Sequence, residues 1–405
     1  MLTDMSSRHA LAPVRSVDDH RQRIEDLLRP LAARATEAVP MDRALGRRLS
    51  ADVYSPLDLP VFRNSSMDGY AVRAESVAIV PVTLPLSGVV AAGNTGAATL
   101  PAGGAMKVMT GAPIPAGADC VVPVEHTQSD GATVTIERSR AAGDFVREAG
   151  TDVRTGQLLA AAGTLLKPRH IAALAAVGLP ELPVYRRVRA AVITTGDELV
   201  QAGLRLLPGQ IYNSNGLALA AALTENGAEV VSLAHSTDDH REFRRRLHEA
   251  VTAADVVFTS GGVSMGDFEV VKEVLSGLGG EFGHVAMQPG GPQGITVVEG
   301  TPVLNFPGNP VSTMVSFDML ARPILRELSG LPAITSTELP LLAALHSPAG
   351  KRQLLRGKLT PEGVEPLAGQ GSHLIATMAQ ADVLIDIPAA DTEVPAGTVV
   401  RTWSL

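Results

Sequence analysis

The sequence predicts a multidomain α/β protein: a doubly wound parallel sheet with β-rich sections on either side. Three observations carry this. Between residues 188 and 329, apolar strand-like runs (RAAVITT, AEVVSLAHS, ADVVFTS, TPVLNF) alternate with helix-period segments at 214–226, 239–253, 268–277 and 310–328. That rhythm is the one of a parallel sheet covered on both faces. Before and after it the chain changes to short apolar runs broken by turn residues, and its 39 glycines and 28 prolines follow no collagen-like period. The length of 405 residues allows roughly two to four domains.

Taken in order, residues 16–49 read as helical, with Val17, Ile24, Leu27, Leu28 and Leu31 at helix-like intervals and Pro30 and Pro40 as punctuation. From about 52 to 146 the runs VPVTLPLSGVV, AMKVMTG, DCVVPVE and ATVTIER suggest a small β-barrel or sandwich. Residues 147–183 add turns, a helix over PRHIAALAAVGL and the proline-bounded linker LPELPVYRR. Beyond residue 340, KRQLLRGKL, DVLIDIP and GTVVRTW form a second β-section.

Composition narrows the functional classes. With 34 basic against 42 acidic residues, the formal charge of −8 argues against non-specific binding to nucleic acid or an anionic membrane. Aromatic residues, at 3%, are too few for stacking platforms on single-stranded nucleic acid. A chain that is 45% hydrophobic and 19% charged is expected to fold throughout. The single cysteine, Cys120, cannot form an intrachain disulfide or a multi-thiolate metal site, and it reads as a small buried hydrophobe. The first residues lack a signal-peptide core and no later stretch reaches membrane-spanning length, so the expected location is the cytoplasm.

Ligands of such sheets bind beyond the carboxyl ends of the strands. The loop Ser260, Gly261, Gly262, Val263, Ser264 follows the run ADVVFT, and its glycines let backbone amides approach a phosphate or another oxyanion. A second loop, Pro307, Gly308, Asn309, Pro310, Val311, Ser312, follows TPVLNF and enters a helix. Either loop taken alone is equally well a tight strand-to-helix turn. Carboxylates gather at the same ends: Asp197 and Glu198 after the first strand, Asp238 and Asp239 after the second, Asp267 and Glu269 after the glycine loop. Each pair alone reads as a cap or a solvated turn. Together, beside loops suited to oxyanions, they imply a phosphorylated ligand bridged by Mg²⁺. In the first β-section, the polar segment NSSMDGY places Asn64, Ser65, Ser66 and Asp68 in one loop, which an ordinary hydrogen-bonded turn would also explain.

Seven motifs in order, NSSMDGYAV, MTGAPIPAGAD, TTGDEL, QIYNSN, TSGGVSMG, FPGNPVS and GSHLIATMAQAD, make the chain resemble the molybdopterin molybdenumtransferase family, the MoeA proteins and the gephyrin E domain, over residues 15–404. The resemblance implies a mixed first domain for dimerisation (14–54 plus 147–183), an inserted β-rich domain (55–146), an α/β molybdopterin-binding domain (184–331) and a C-terminal β-barrel (332–405). It implies a homodimer whose substrates are adenylylated molybdopterin and molybdate, a Mg²⁺-dependent reaction releasing AMP, and contact with the molybdopterin adenylyltransferase. Matched motif by motif, family roles fall on Asp68, Thr110, Asp152, Glu198, Asp238 and Glu269 as catalytic residues. Asp197, Glu198, Asp238, Asp267 and Glu269 become metal ligands, and Gly261, Gly262, Ser264, Pro307, Gly308, Asn309 and Ser312 hold pterin and phosphate. Arg356 and Ser372 match the molybdate pocket, where a guanidinium suits a tetrahedral oxyanion.

Two departures stand out. Members often carry MKPGKP, with two lysines toward the oxyanion, where this chain reads Met287, Gln288, Pro289, Gly290, Gly291, Pro292. Glu269 stands where members often have Asp. The lost lysines suggest, as an alternative, a paralogue that binds molybdopterin as a carrier or scaffold without efficient metal insertion.

Overall fold

The computed structural model describes residues 14–93, 98–263, 269–367, 369 and 371–405. They form two compact units. The first comprises residues through 37, 46–48 and 185–405, the second residues 38–45 and 49–184.

The α/β part of the first unit runs β1 (Arg189–Thr195), α1 (Ser214–Glu225), β2 (Glu229–Ser236), α2 (His240–Ala253), β3 (Val256–Ser260), α3 (Val270–Ser276), β4 (Glu281–His284), β5 (Pro292–Val298), β6 (Thr301–Phe306) and α4 (Pro310–Ser316). The sheet order is β2-β1-β3-β6-β5-β4. Its first four strands are parallel, as expected from their apolar runs, while β5 and β4 continue the sheet antiparallel. The sequence reading had not separated these two. β5 and β6 are joined through Glu299 and Gly300, both at positive φ (52° and 84°), the backbone of a tight two-residue hairpin.

Alternation along the strands sorts the core into two layers. Ala190, Val192 and Phe258 face Leu219 and Leu223 of α1 and Val311 and Val315 of α4. Ala191, Ile193 and Val257 face Phe243 and Leu247 of α2 and Val271 and Val274 of α3. Helix starts are fixed locally: Asn213 Oδ1 accepts the Gly216 amide at 3.2 Å, and Asp239 Oδ1 accepts those of Arg241 and Glu242 at 3.0 and 2.8 Å. After α4 the chain makes a wide π-type turn over Phe317–Ala321 and resumes as Arg322–Ser329. Pro323 lacks the amide that would close the regular ladder onto Met319, which accounts for the widened turn.

Phe258 sits between Phe306 and Phe317, with ring centroids at 5.8 and 6.2 Å. All three are fully buried. Phe258→Ala should therefore cost about 3–5 kcal/mol, measured as a lowered denaturant midpoint; a cost under 1 kcal/mol would contradict this packing.

The C-terminal sheet orders Met287–Gln288, Arg352–Thr360, Val383–Ile387, Val399–Ser404 and Ser336–Pro340, with Gly363–Pro366 also pairing to Arg352–Thr360. A bridge from Leu341 to Val364 draws its ends together, giving a half-barrel around Leu355, Ile385 and Val400.

The second unit holds a six-stranded sheet including Gly69–Val72, Val82–Val90, Ala105–Val108, Cys120–Pro123 and Thr133–Ile136, as the alternating runs suggested. Cys120 is buried there, and burial pushes its thiol up to about 12, so it is chemically inert near neutral pH. One expectation is corrected. Residues 16–49 are not helical throughout: the α-helix is Val17–Leu28, capped by Ser16, followed by a 3-10 turn over Arg29–Ala33 and a strand, Thr36–Pro40. Pro40 disfavours the helical region for Val39, and Thr36 and Val39 are β-branched.

Candidate active site

The chain passes from β1 through α1 to β2 on one side, then crosses to β3 on the other side of β1, so the sheet changes winding direction at β1. Such a switch opens a crevice at the carboxyl ends of the strands. A cavity of about 610 Å³ lies there, lined by loops after β1, β2, β3 and β6 and by the residues before α1.

Its oxyanion side is built by backbone. Gly261 and Gly262 stand at φ of 101° and 67°. A Cβ on Gly261 would meet the Thr195 carbonyl oxygen and Oγ1 at 2.8 Å, and one on Gly262 would meet Val271 Cγ2 at 2.6 Å. Only glycine fits either position. A Cβ on Gly308 would stand 3.4 Å from Gly261 Cα, so the two glycine loops touch. Asn215 joins them: its Nδ2 donates to Ser260 Oγ (2.9 Å) and to the Gly308 carbonyl (2.7 Å). Thr313 Oγ1 lies 3.1 Å from Ser260 Oγ and donates to the Pro307 carbonyl at 2.6 Å. Pro307, Gly308, Asn309 and Ser312 line the cavity, and the buried Oγ1 of Thr195, a lining residue, has no hydrogen-bond partner among the described residues.

The same wall also carries carboxylates. Glu198, Asp238 and Glu269 line the same cavity. The Glu198 carboxylate folds over Gly196, where a Cβ would stand 2.5 Å from Oε2. Asp197 does not line the cavity; its Oδ1 accepts the Asp238 amide at 3.1 Å. Burial, together with the negative charges of Asp197 and Glu198, pushes the Asp238 carboxyl above the usual carboxylate range, although an amide hydrogen bond from Asp197 works the other way. Among the described residues no three His, Cys, Asp or Glu side chains converge to enclose a metal. The donor set still fits Mg²⁺, which commonly takes one or two carboxylates and completes its shell from substrate phosphate and water. Ser264 and Asp267 lie outside the described residues.

A second cavity of about 420 Å³ adjoins the first and shares Pro292, Asn309, Ser312 and His373 with it. Its remaining wall is His284, the segment Met287–Gly291, Lys351, Gly371 and Ser372. Arg356, expected here, does not line it. Its side chain is buried, and its guanidinium donates to the carbonyls of Gly371 (3.1 Å) and Gly369. It thus fixes the loop carrying Ser372 and His373, while the Ser372 carbonyl accepts the Val311 amide at 3.0 Å.

In the second unit, Asp68 Oδ1 accepts both the amide (2.7 Å) and the hydroxyl (3.0 Å) of Thr110, and these bonds hold its carboxyl below the usual range. Asp152 is exposed, with its amide donating to the Leu59 carbonyl at 2.9 Å. Sequence reasoning placed Thr195 in the crevice loop only for its neighbouring carboxylates, and it missed Asn215, His373 and Lys351 as wall or bracing residues. TTGDEL, QIYNSN and GSHLIATMAQAD contained the first three, but nothing in them separates a buried unpaired hydroxyl from a structural one.

The parallel sheet with glycine loops and carboxylates on one cavity wall is that of an α/β ligand-binding domain, and residues 191–327 match a family described as a probable molybdopterin binding domain. Residues 15–178 match the MoeA N-terminal region (domain I and II), and residues 338–405 match the MoeA C-terminal region (domain IV). The chain is 42% identical over 407 residues to molybdopterin molybdenumtransferase 2 of Mycobacterium tuberculosis, covering 97% of this chain and 100% of that protein. It is 36% identical to molybdopterin molybdenumtransferase of a Nostoc species, covering 98% and 95% of the two chains. A crystal structure of the MoeA protein from Pyrococcus horikoshii superposes with a TM-score of 0.80 at 32% identity, covering 97% and 99%. The chain belongs to the MoeA family of molybdopterin molybdenumtransferases, and with it to molybdenum cofactor biosynthesis.

Proposed function

We propose that the protein inserts molybdate into adenylylated molybdopterin in a Mg²⁺-dependent step that releases AMP. The observation that carries the reading is one cavity lined both by the glycine loops and by Glu198, Asp238 and Glu269. Amides alone would hold a phosphate; carboxylates alone would repel it. Glu198 and Asp238 would hold Mg²⁺, which when bound would neutralise phosphate charge as a Lewis acid. In this reading Gly261, Gly262 and Gly308 let backbone amides approach the phosphoanhydride, and Asn309 would donate to it. Glu198 orients and deprotonates a water, whose oxygen attacks phosphorus as the phosphoanhydride P–O bond breaks and AMP leaves. Both dithiolene sulfurs then bind molybdenum, their two protons leaving with one molybdate oxygen as water; the soft sulfur ligands come from the substrate, so a chain with one buried cysteine suffices. Asp68, Thr110 and Asp152 belong to the same reading through their motifs. So do a homodimer and hand-over of substrate from the adenylyltransferase. Among the described residues no helix is long and apolar enough to cross a membrane.

The test is AMP release by the purified chain given adenylylated molybdopterin, molybdate and Mg²⁺. The expected result is release well above an enzyme-free control and abolished by a chelator. Tight pterin binding with no AMP release would replace this reading with the carrier alternative, which the uncharged segment Met287–Pro292 favours.

A further inference from the structure

We propose that Lys351 is the cation that holds the tetrahedral oxyanion in the second cavity; naming that oxyanion molybdate rests on the function proposed above. The cavity wall from Met287 to Pro292 carries no charged side chain. Arg356 turns its guanidinium into backbone carbonyls behind the Gly371–His373 loop, so it acts as a positioning residue. Arg352 is equally committed: Nε and Nη2 donate to the two Asp386 oxygens at 2.7 and 2.6 Å, and Nη1 lies 3.4 Å from Asp18. Among the described residues, Lys351 is the one lysine or arginine on the cavity wall.

Its placement follows from the sheet. Met287 and Gln288 pair in parallel with Arg352 and Gln353, and the Arg352 amide donates to the Ala286 carbonyl at 2.8 Å. Residue 351 is thereby held next to that uncharged segment. Lys351 itself sits in a bend just before the strand, where it lines the cavity wall. The Lys351 ammonium has no ion-pair partner among the described residues and is exposed. Ser312, Ser372 and His373 add hydroxyl and imidazole groups around the same space. An oxyanion there without a cation would go uncompensated, whereas an ammonium offers a full charge and three donors.

The experiment measures sodium molybdate binding to the full chain by titration calorimetry, without pterin, for wild type, Lys351→Gln and Lys351→Arg. Steady-state AMP release is measured in parallel. Lys351→Gln should weaken molybdate about tenfold or more, consistent with loss of a charged hydrogen-bonding partner. It should raise KM for molybdate by a similar factor and leave kcat at saturating molybdate within about threefold. Lys351→Arg should stay within about threefold of wild type. An unchanged thermal midpoint for the exposed position separates lost binding from lost folding. Wild-type affinity in Lys351→Gln, equal loss in both variants, or no molybdate binding to the wild type would each overturn the proposal. Lysine-dependent oxyanion binding without AMP release would uphold Lys351 while overturning the transfer reaction.

Discussion

Replacing Glu198 with glutamine is expected to slow AMP release by about 10²–10⁴-fold while substrate affinity changes only a few-fold. The side chain lines the cavity and lies folded over Gly196, so the isosteric amide keeps its shape and neighbours. What disappears is the negative charge and the basic oxygen. The substitution also removes one of the charges that push Asp238 up, so Asp238 should ionise more readily in the variant. A pure metal-binding role would be rescued by raising Mg²⁺; loss that persists at saturating Mg²⁺ identifies proton transfer or positioning of the attacking oxygen. Turnover within threefold of wild type would remove Glu198 from the chemistry.

Gly261→Ala should be severely damaging to the candidate site. At a φ of 101° an alanine is strained, and its Cβ would meet the Thr195 carbonyl and hydroxyl at 2.8 Å, where backbone cannot give way. The strain costs about 1–3 kcal/mol and the overpacking a similar amount. Because Gly308 packs against Gly261 and Asn215 ties Gly308 to Ser260, the displacement would reach both loops. Substrate binding should fall at least about 100-fold, with a lowered melting temperature. Gly300→Ala is the control: it also has positive φ (84°) but no atom within 4 Å of the added carbon, so it should cost stability alone. Equal pterin affinity in Gly261→Ala and wild type would contradict the placement of the ligand on this loop.

The parts of this molecule that sequence could reveal are those where one local rule decides. Strands β1, β3 and β6 are buried on both faces, so they read as unbroken apolar runs and their positions emerged almost residue for residue. The glycine loops and the carboxylates after the strands were legible for the same reason, since the switch-point rule fixes where to look. The strand Thr36–Pro40 was lost because five mostly exposed residues between prolines carry little pattern of their own. β5, Pro292–Val298, was masked by the glycine-rich segment before it.

Side-chain direction was the least legible. Arg356 and Lys351 both stand in a basic stretch, and chemistry alone favours the guanidinium for an oxyanion. The carbonyls of Gly369 and Gly371, 13 and 15 residues further on, claim Arg356, and Asp386 claims Arg352. Only the tertiary arrangement leaves the ammonium on the cavity wall. Likewise Thr195 is indistinguishable from Thr194 in the sequence. In the structure Thr194 Oγ1 accepts from Asn213 Nδ2 at 2.6 Å, while the Thr195 hydroxyl remains unpaired beside the cavity.

The most direct test is the ratio of molybdenum atoms bound to the pterin dithiolene per AMP released, measured on product from the purified wild-type chain with Mg²⁺. Coupled insertion predicts one molybdenum per AMP and neither product when Mg²⁺ is chelated. AMP released without molybdenum in the product, or molybdenum acquired at the same rate without enzyme, would contradict the proposal that this cavity joins phosphoanhydride cleavage to metal transfer.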